Sequence, residues 1–261
     1  NSNQKNRASN KSQFSRCQRC PIQKELQMNK TLKLSFCALV FNSNVMAHTD
    51  FENTVLEGTQ TDGYIKIAHG CTQNKYSITF QSIVVPTLNP KVIRTDGTII
   101  NLTDDINVIS SSGLKGLIKP IQDKSIFAQQ SVKTDNLGNI IGFENIKGNL
   151  NYNLIGRVPV QISAPYFKAT SCAKKLKVKI AIADICKTSF PPVPSTANLW
   201  IPNTTSKFSS LAIEGIGEPA ELVIERSSIP QICGNETYDV IVEPSNIDID
   251  TNLPINKIWG K

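Results

Sequence analysis

Short alternating runs of β-branched residues limit what this chain can fold into. From His48 onward, no long stretch repeats its apolar residues with the period of about 3.6 that an amphipathic helix requires. Gly, Asn, Asp and Pro separate the runs and favour turns between them. The predicted strands are residues 63–68, 76–85, 91–94, 98–102, 140–143, 154–163, 174–182, 220–225, 238–243 and 255–259. This pattern predicts an all-β sandwich.

Two stretches between the strands predict long loops. Residues 110–139 are rich in Ser, Lys and Gln, and residues 188–210 contain several prolines. Long irregular loops in compact domains are often functional. Trp200 lies in the second stretch. It is predicted either to tie that loop to the sandwich as an apolar contact or to lie near a metal.

Residues 28–47 have the pattern of a signal peptide. Lys30 and Lys33 precede a mostly apolar run at 34–41. Val45-Met46-Ala47 then resembles the A-x-A type of signal-peptidase cleavage site. The alternative is that the apolar run is a buried element of the fold. Cleavage after Ala47 would make His48 the first residue of the mature chain. Residues 1–27 are then expected to be upstream sequence, residues 28–47 the signal peptide, and residues 48–261 a single β-sandwich domain.

The formal charge of +7 comes from the part of the chain ahead of His48. Residues 1–47 contain eight of the 28 basic residues but one of the 21 acidic residues, so 20 of each sign remain. Basic residues interleaved with aromatic residues would indicate a nucleic-acid-binding surface, and no such cluster is present. The densest basic run, 174–179, alternates as expected for a solvated strand face. No nucleic-acid partner is expected.

Four of the seven cysteines follow the predicted cleavage point: Cys71, Cys172, Cys186 and Cys233. An even number in an exported chain predicts two disulfides, although a zinc site made of four thiolates is the alternative. A strand spanning residues 174–182 would hold Cys172 and Cys186 on the order of 30 Å apart. A disulfide needs Cα atoms within about 7 Å, so each of these two should pair with Cys71 or Cys233. The two remaining connectivities stay open.

The two histidines, His48 and His69, form the candidate metal site. An N-terminal histidine offers a metal both its α-amine and its ring Nδ1. With the imidazole of His69, these two nitrogens would make a three-nitrogen T, which suits the tetragonal surroundings that Cu(II) prefers. Asp50, Glu52 and Glu57 are the acids closest in sequence, and Glu52 is taken as the candidate carboxylate, although each of the three is also typical of plain surface charge. The alternatives are that His48 is an ordinary loop residue and that His69 is a hydrogen-bonded residue at the end of a strand.

At these residues the chain resembles the YcnI-like periplasmic copper-binding proteins. The resemblance covers about residues 48–86, and its most specific parts are His48 and the segment His69-Gly70-Cys71. It implies an immunoglobulin-like β-sandwich on which the N-terminal histidine binds Cu(II) with help from a carboxylate and a tryptophan. On this chain those roles fall to His48, with Glu52 and Trp200 as the candidates.

The sequence therefore predicts a non-catalytic, exported copper-binding protein, periplasmic or secreted, that acts in copper delivery or homeostasis. Copper transport or copper oxidase proteins are its expected partners, and no membrane anchor is expected in the mature chain. One alternative is a secreted structural or interaction domain without a metal. The other is a copper monooxygenase of the histidine-brace type, which the spacing of only 21 residues between His48 and His69 disfavours.

Overall fold

The protein was analysed as a computed structural model that describes residues 48–73, 75–108, 113–186 and 195–255. The predicted upstream segment 1–27 and signal peptide 28–47 lie outside these ranges, as does most of the predicted strand 255–259. Strands account for 46% of the structure and helices for 7%, which confirms the predicted all-β class. Within the described ranges, no helix is long and apolar enough to cross a membrane.

The described strands and helices are joined by connections of very different length, and a long one, residues 201–219, lies between the strands at 197–200 and 220–225. A 3-10 turn at Gln231–Cys233 separates two of the last strands. The elements are β1 Asp50–Phe51, β2 Val55–Leu56, β3 Gln60–Ile67, β4 Phe80–Val84, β5 Lys91–Arg94, α1 Leu102–Asp105, β6 Ile106–Asn107, β7 Ile118–Pro120, β8 Phe127–Thr134, β9 Ile140–Gly148, β10 Gly156–Ser163, β11 Tyr166–Phe167, β12 Ala173–Ile185, β13 Ala197–Trp200, β14 Ala220–Glu225, β15 Tyr238–Glu243 and α2 Asn246–Asn252.

Two main sheets form the sandwich. The smaller has the strand order β1-β3-β10-β7, and the larger has the order β2-β14-β12-β4-β9-β8. In the larger sheet β15 runs parallel to the first half of β12 and joins β5, whereas β13 pairs with the second half of β12. Strands β6 and β11 form a separate pair. As a result, β12 is hydrogen-bonded on both edges along most of its length.

The sequence of β12 explains its central position. In its first half, Leu176, Val178 and Ile180 are fully buried. The lysines between them form ion pairs with acidic residues of the neighbouring strands: Lys175 with Glu225, Lys177 with Asp239 and Lys179 with Glu221. This agrees with the solvated strand face that the sequence predicts. In the second half, every residue from Ala181 to Ile185 is buried, so this part of the strand has apolar neighbours on both faces.

The main core lies between the two sheets. It is built from alternate residues of the facing strands, among them Ile65, Ile67, Val158 and Val160 of the smaller sheet and Ile83, Phe143, Leu176 and Val178 of the larger. A second apolar cluster covers the opposite face of the larger sheet, where Phe208, Ile249 and Leu253 pack on Ala181 and Ala183. Asp248 anchors α2 here because its buried carboxylate accepts hydrogen bonds from the backbone N–H groups of Thr87 and Leu88.

Three predictions of local structure are wrong. Residues 110–139 are not one long loop, because they include β7 and β8. The polar composition of β8 reflects its position at the edge of the larger sheet, with most of its side chains exposed. Residues 188–210 include β13, which begins beyond the first three prolines of that stretch. Residues 98–102 form an isolated bridge at Ile99 and the start of α1.

The two disulfides are Cys71–Cys186 and Cys172–Cys233, with Cα atoms 6.0 and 5.6 Å apart. Cys172 and Cys186 lie just beyond opposite ends of β12, so the prediction that they do not pair is confirmed. The first disulfide ties the segment after β3 to the end of β12. The second ties the start of β12 to the turn before β15.

Peptide mapping of the oxidised protein should recover these two cross-links and no free thiol among Cys71, Cys172, Cys186 and Cys233. The measurement is mass spectrometry of a digest made without reduction, together with thiol labelling of the denatured protein. Replacing both Cys172 and Cys233 by Ala should lower the free energy of unfolding by roughly 2–5 kcal/mol, because the unfolded chain is then less restricted. A peptide linking Cys172 to Cys186 would contradict the observed pairing.

Candidate metal centre

His48 and His69 lie at the same end of the sandwich. Strands β1 and β3 are antiparallel, and Asp50 is paired with Lys66. The chain just before β1 therefore runs alongside the chain just after β3, which places His48 across from Ala68, the residue that precedes His69. The strand register, rather than closeness in sequence, brings the two histidines to one edge.

The His48 side chain is partly exposed, yet its Nδ1 atom is buried and has no hydrogen-bond partner among the described residues. Its Nε2 atom lies 3.5 Å from Oδ2 of Asp50. The ring lies 5.8 Å from the ring of Trp200, measured between centroids, with a tilt of 42°. The nitrogen that an N-terminal chelate would use is thus the one left without a partner.

Asp184 is a fully buried carboxylate that adjoins this histidine through two neighbours. Its Oδ2 atom accepts hydrogen bonds from the Thr49 hydroxyl at 2.6 Å and from the Trp200 indole N–H at 2.8 Å. Its Oδ1 atom accepts one from the Gln81 amide at 2.8 Å. Thr49 follows His48 directly, and the Trp200 ring faces the His48 ring. Three donors therefore hold the Asp184 carboxylate in one orientation.

Asp184 belongs to a row of buried polar residues that crosses four neighbouring strands. Asn198 of β13, Asp184 of β12, Gln81 of β4 and Asn145 of β9 occupy matched positions in the strand register. All four side chains are fully buried. The Asn145 amide N–H donates to Oε1 of Gln81, and the Nε2 N–H of Gln81 donates to Oδ1 of Asp184. Since buried polar groups cost stability unless they are bonded, such a row indicates a role beyond packing.

Asp184 has no ion-pair partner among the described lysines and arginines. Burial raises the pKa of its carboxyl and so favours the uncharged form, whereas the donors from Thr49, Gln81 and Trp200 and the proximity of His69 oppose that shift. A cation bound nearby would stabilise the carboxylate form.

His69 faces a different acid, Glu214. Its Nδ1 atom lies 2.6 Å from the Gly70 carbonyl oxygen, and its Nε2 atom lies 3.7 Å from Oε1 of Glu214. Gly70 is required here because a Cβ atom would come within 2.7 Å of the Tyr152 backbone. Burial raises the pKa of Glu214, whereas the proximity of His69 lowers it.

The structure brings together part of the predicted site. Trp200 contacts His48 and is almost fully buried, so it is both a core residue and a neighbour of the candidate ligand. Glu52 forms an ion pair with Arg157 at 2.9 Å, and Asp50 is the carboxylate beside His48. Sequence reasoning did not identify Asp184. It lies within the apolar run 180–186, where a lone acid inside a predicted strand is a signal that could have found it.

Among the described residues, no group of three or more His, Cys, Asp or Glu side chains is arranged to hold a metal ion. A histidine that also supplies its α-amine does not need such a group, because one residue then provides two donors. The fold and this site define a partly exposed imidazole beside two residues, Thr49 and Trp200, that hold a buried carboxylate in an all-β sandwich. No known protein family, curated protein or solved structure matches the chain.

Proposed function

We propose that the chain is exported, is cleaved before His48 and binds one Cu(II) ion through its N-terminal histidine, in copper delivery or homeostasis. The donors would be the α-amine and Nδ1 of His48. This is the role that the resemblance to the YcnI-like proteins implies. Imidazole and amine nitrogens with a nearby carboxylate suit Cu(II), which has the highest affinity in the divalent series.

The observation that carries the proposal is the unpartnered Nδ1 atom of His48. A buried nitrogen without a hydrogen bond lowers the stability of the fold, so a ligand that binds this nitrogen is expected. Asp184 is hydrogen-bonded to Thr49, the residue after His48, and to Trp200, whose ring lies against that of His48. A cation bound at Nδ1 would supply the partner that this nitrogen lacks.

The residues around His48 would then orient the ligand. Asp50 lies beside Nε2, the ring nitrogen that does not take part in the chelate. A carboxylate in that position fixes the orientation of the ring and raises the basicity of the ligating nitrogen. Trp200 covers one side of the ring and holds Asp184 in place through its indole N–H. Copper itself would supply the positive charge that this arrangement lacks.

A binding role is favoured over a histidine-brace oxygenase by the environment of His69. A brace requires the second imidazole to face the same ion as the N-terminal histidine. The Nε2 atom of His69 is directed at Glu214, 3.7 Å away. This supports a non-catalytic copper site that depends mainly on His48.

The test is the intact mass of the secreted protein, followed by titration with Cu(II). The mass should correspond to residues 48–261, and the protein should bind one equivalent of Cu(II). His48→Ala should abolish that tight equivalent, and the control Asp62→Asn, on the strand β3, should retain it. A different N-terminal residue, or a His48→Ala protein that binds its first equivalent of Cu(II) as tightly as the mature protein does, would overturn the proposal.

A further inference from the structure

When His69 is neutral, the atoms that His69 and Glu214 turn toward each other are both hydrogen-bond acceptors. The Gly70 carbonyl oxygen can only accept a hydrogen bond, so the contact of 2.6 Å requires that Nδ1 of His69 carries the proton. In the neutral ring, Nε2 is then left with a lone pair. This lone pair faces a carboxylate oxygen of Glu214 across 3.7 Å, a separation too long for a hydrogen bond.

Glu214 Oε1 is buried and has no hydrogen-bond partner among the described residues. The backbone holds this residue in place, because the Glu214 carbonyl accepts a hydrogen bond from the N–H of Leu199 on β13. The next residue, Gly215, has a φ of +98° and passes so close to Trp200 that a Cβ atom would lie 2.7 Å from its ring. The path of the chain therefore holds the backbone of Glu214 beside His69.

From these contacts we infer that His69 and Glu214 form a second metal-binding site, for a first-row divalent cation such as Zn(II), which does not use the His48 chelate. A cation at bond lengths of about 2.0–2.2 Å from Nε2 and Oε1 fits across the gap with a ligand–metal–ligand angle of roughly 125°. Water would complete the coordination, since the two side chains are 17% and 33% exposed. A histidine whose other ring nitrogen donates to a backbone carbonyl is the usual arrangement of a ligating histidine.

The chain contains two histidines, which makes the inference testable in isolation. In the His48→Ala protein, His69 is the sole imidazole, and its ring nitrogens give unambiguous 15N signals. Without metal, the spectrum should report the tautomer protonated at Nδ1. Addition of Zn(II) should then shift the Nε2 signal. A spectrum that reports protonation at Nε2, or no shift on adding Zn(II), would overturn the inference.

Glu214→Gln in the same background should weaken Zn(II) binding by at least about tenfold, because the cation loses a charged oxygen ligand. The matched control is Glu218→Gln, which removes the same charge from the same segment. It should change the affinity by at most about fivefold, the scale of a screened surface charge. Equal Zn(II) affinities of the Glu214→Gln and Glu218→Gln proteins would show that Glu214 is not a ligand. If Glu214→Gln does not fold, the tautomer and the Zn(II)-induced shift in the His48→Ala protein still decide the matter.

The outcome does not depend on the copper proposal. The His48→Ala protein lacks the N-terminal chelate, so Zn(II) binding by His69 can succeed where the copper proposal fails, and the reverse. Titration of the unaltered mature protein tests the chelate, and titration of the His48→Ala series tests the second site.

Discussion

A single glycine placed ahead of His48 is expected to weaken Cu(II) binding by the mature protein on the order of a hundredfold or more. The extension turns the α-amine into an amide and removes one nitrogen of the chelate, while the imidazole and the fold stay intact. Isothermal titration with Cu(II), in competition with a chelator of known affinity, measures the difference. His69→Ala should cost much less, since its Nε2 atom faces Glu214.

The pH dependence provides a second measure of the same chelate. Cu(II) must displace a proton from the α-amine, whose ordinary pKa is about 7.7–8.0. Affinity in the mature form should therefore fall as the pH is lowered through that range. The extended form has an amide nitrogen at this position and should lack this step. Equal affinity of the extended and mature forms at every pH would move the site away from His48.

Asp184→Asn is expected to lower the Cu(II) affinity by about 10–100-fold, as changes next to a metal ligand commonly do. The substitution keeps the size of the side chain but removes its negative charge. It also presents an NH₂ group to one of the donors from Thr49, Gln81 or Trp200, which loses a hydrogen bond. The metal-free protein should lose about 1–3 kcal/mol of unfolding free energy for that reason.

Asp248→Asn provides the matched control for this experiment. Asp248 is as fully buried as Asp184 and also accepts hydrogen bonds from three partners, but it anchors α2. This variant should lose a similar amount of stability and retain the Cu(II) affinity. If both variants bind copper equally well, Asp184 is a structural residue and has no influence on the metal.

The all-β class could be predicted from the sequence because alternation with a period of two is a local property. Strands 91–94, 220–225 and 238–243 have the predicted bounds. Strand β8 was missed because an edge strand with one solvated face has the composition of a loop. Strand β13 was missed because the prolines before it dominate the segment.

The candidate site was only partly predictable, for a different reason. His48 and Trp200 were recognisable by residue type and by position in the chain. Asp184 and Glu214 become neighbours of the histidines only through the pairing of β12 with β13 and the contact of Glu214 with Leu199. Glu52 was chosen for its closeness in sequence, but its carboxylate lies against Arg157. Which residues become neighbours depends on the pairing register of strands that are distant in sequence. The alternation of apolar and polar residues within one strand does not determine that register by itself.

The two sides of the proposed copper site differ in how firmly the fold holds them. Asp184 lies on β12, a strand of 13 residues that is paired on both edges. His48 precedes β1, a strand of two residues at the edge of the smaller sheet. Short edge strands open far more often than central ones. The dissociation rate of the ion should therefore be governed by detachment of the first few residues, and a partner that captures this N-terminal segment would accelerate release without unfolding the sandwich.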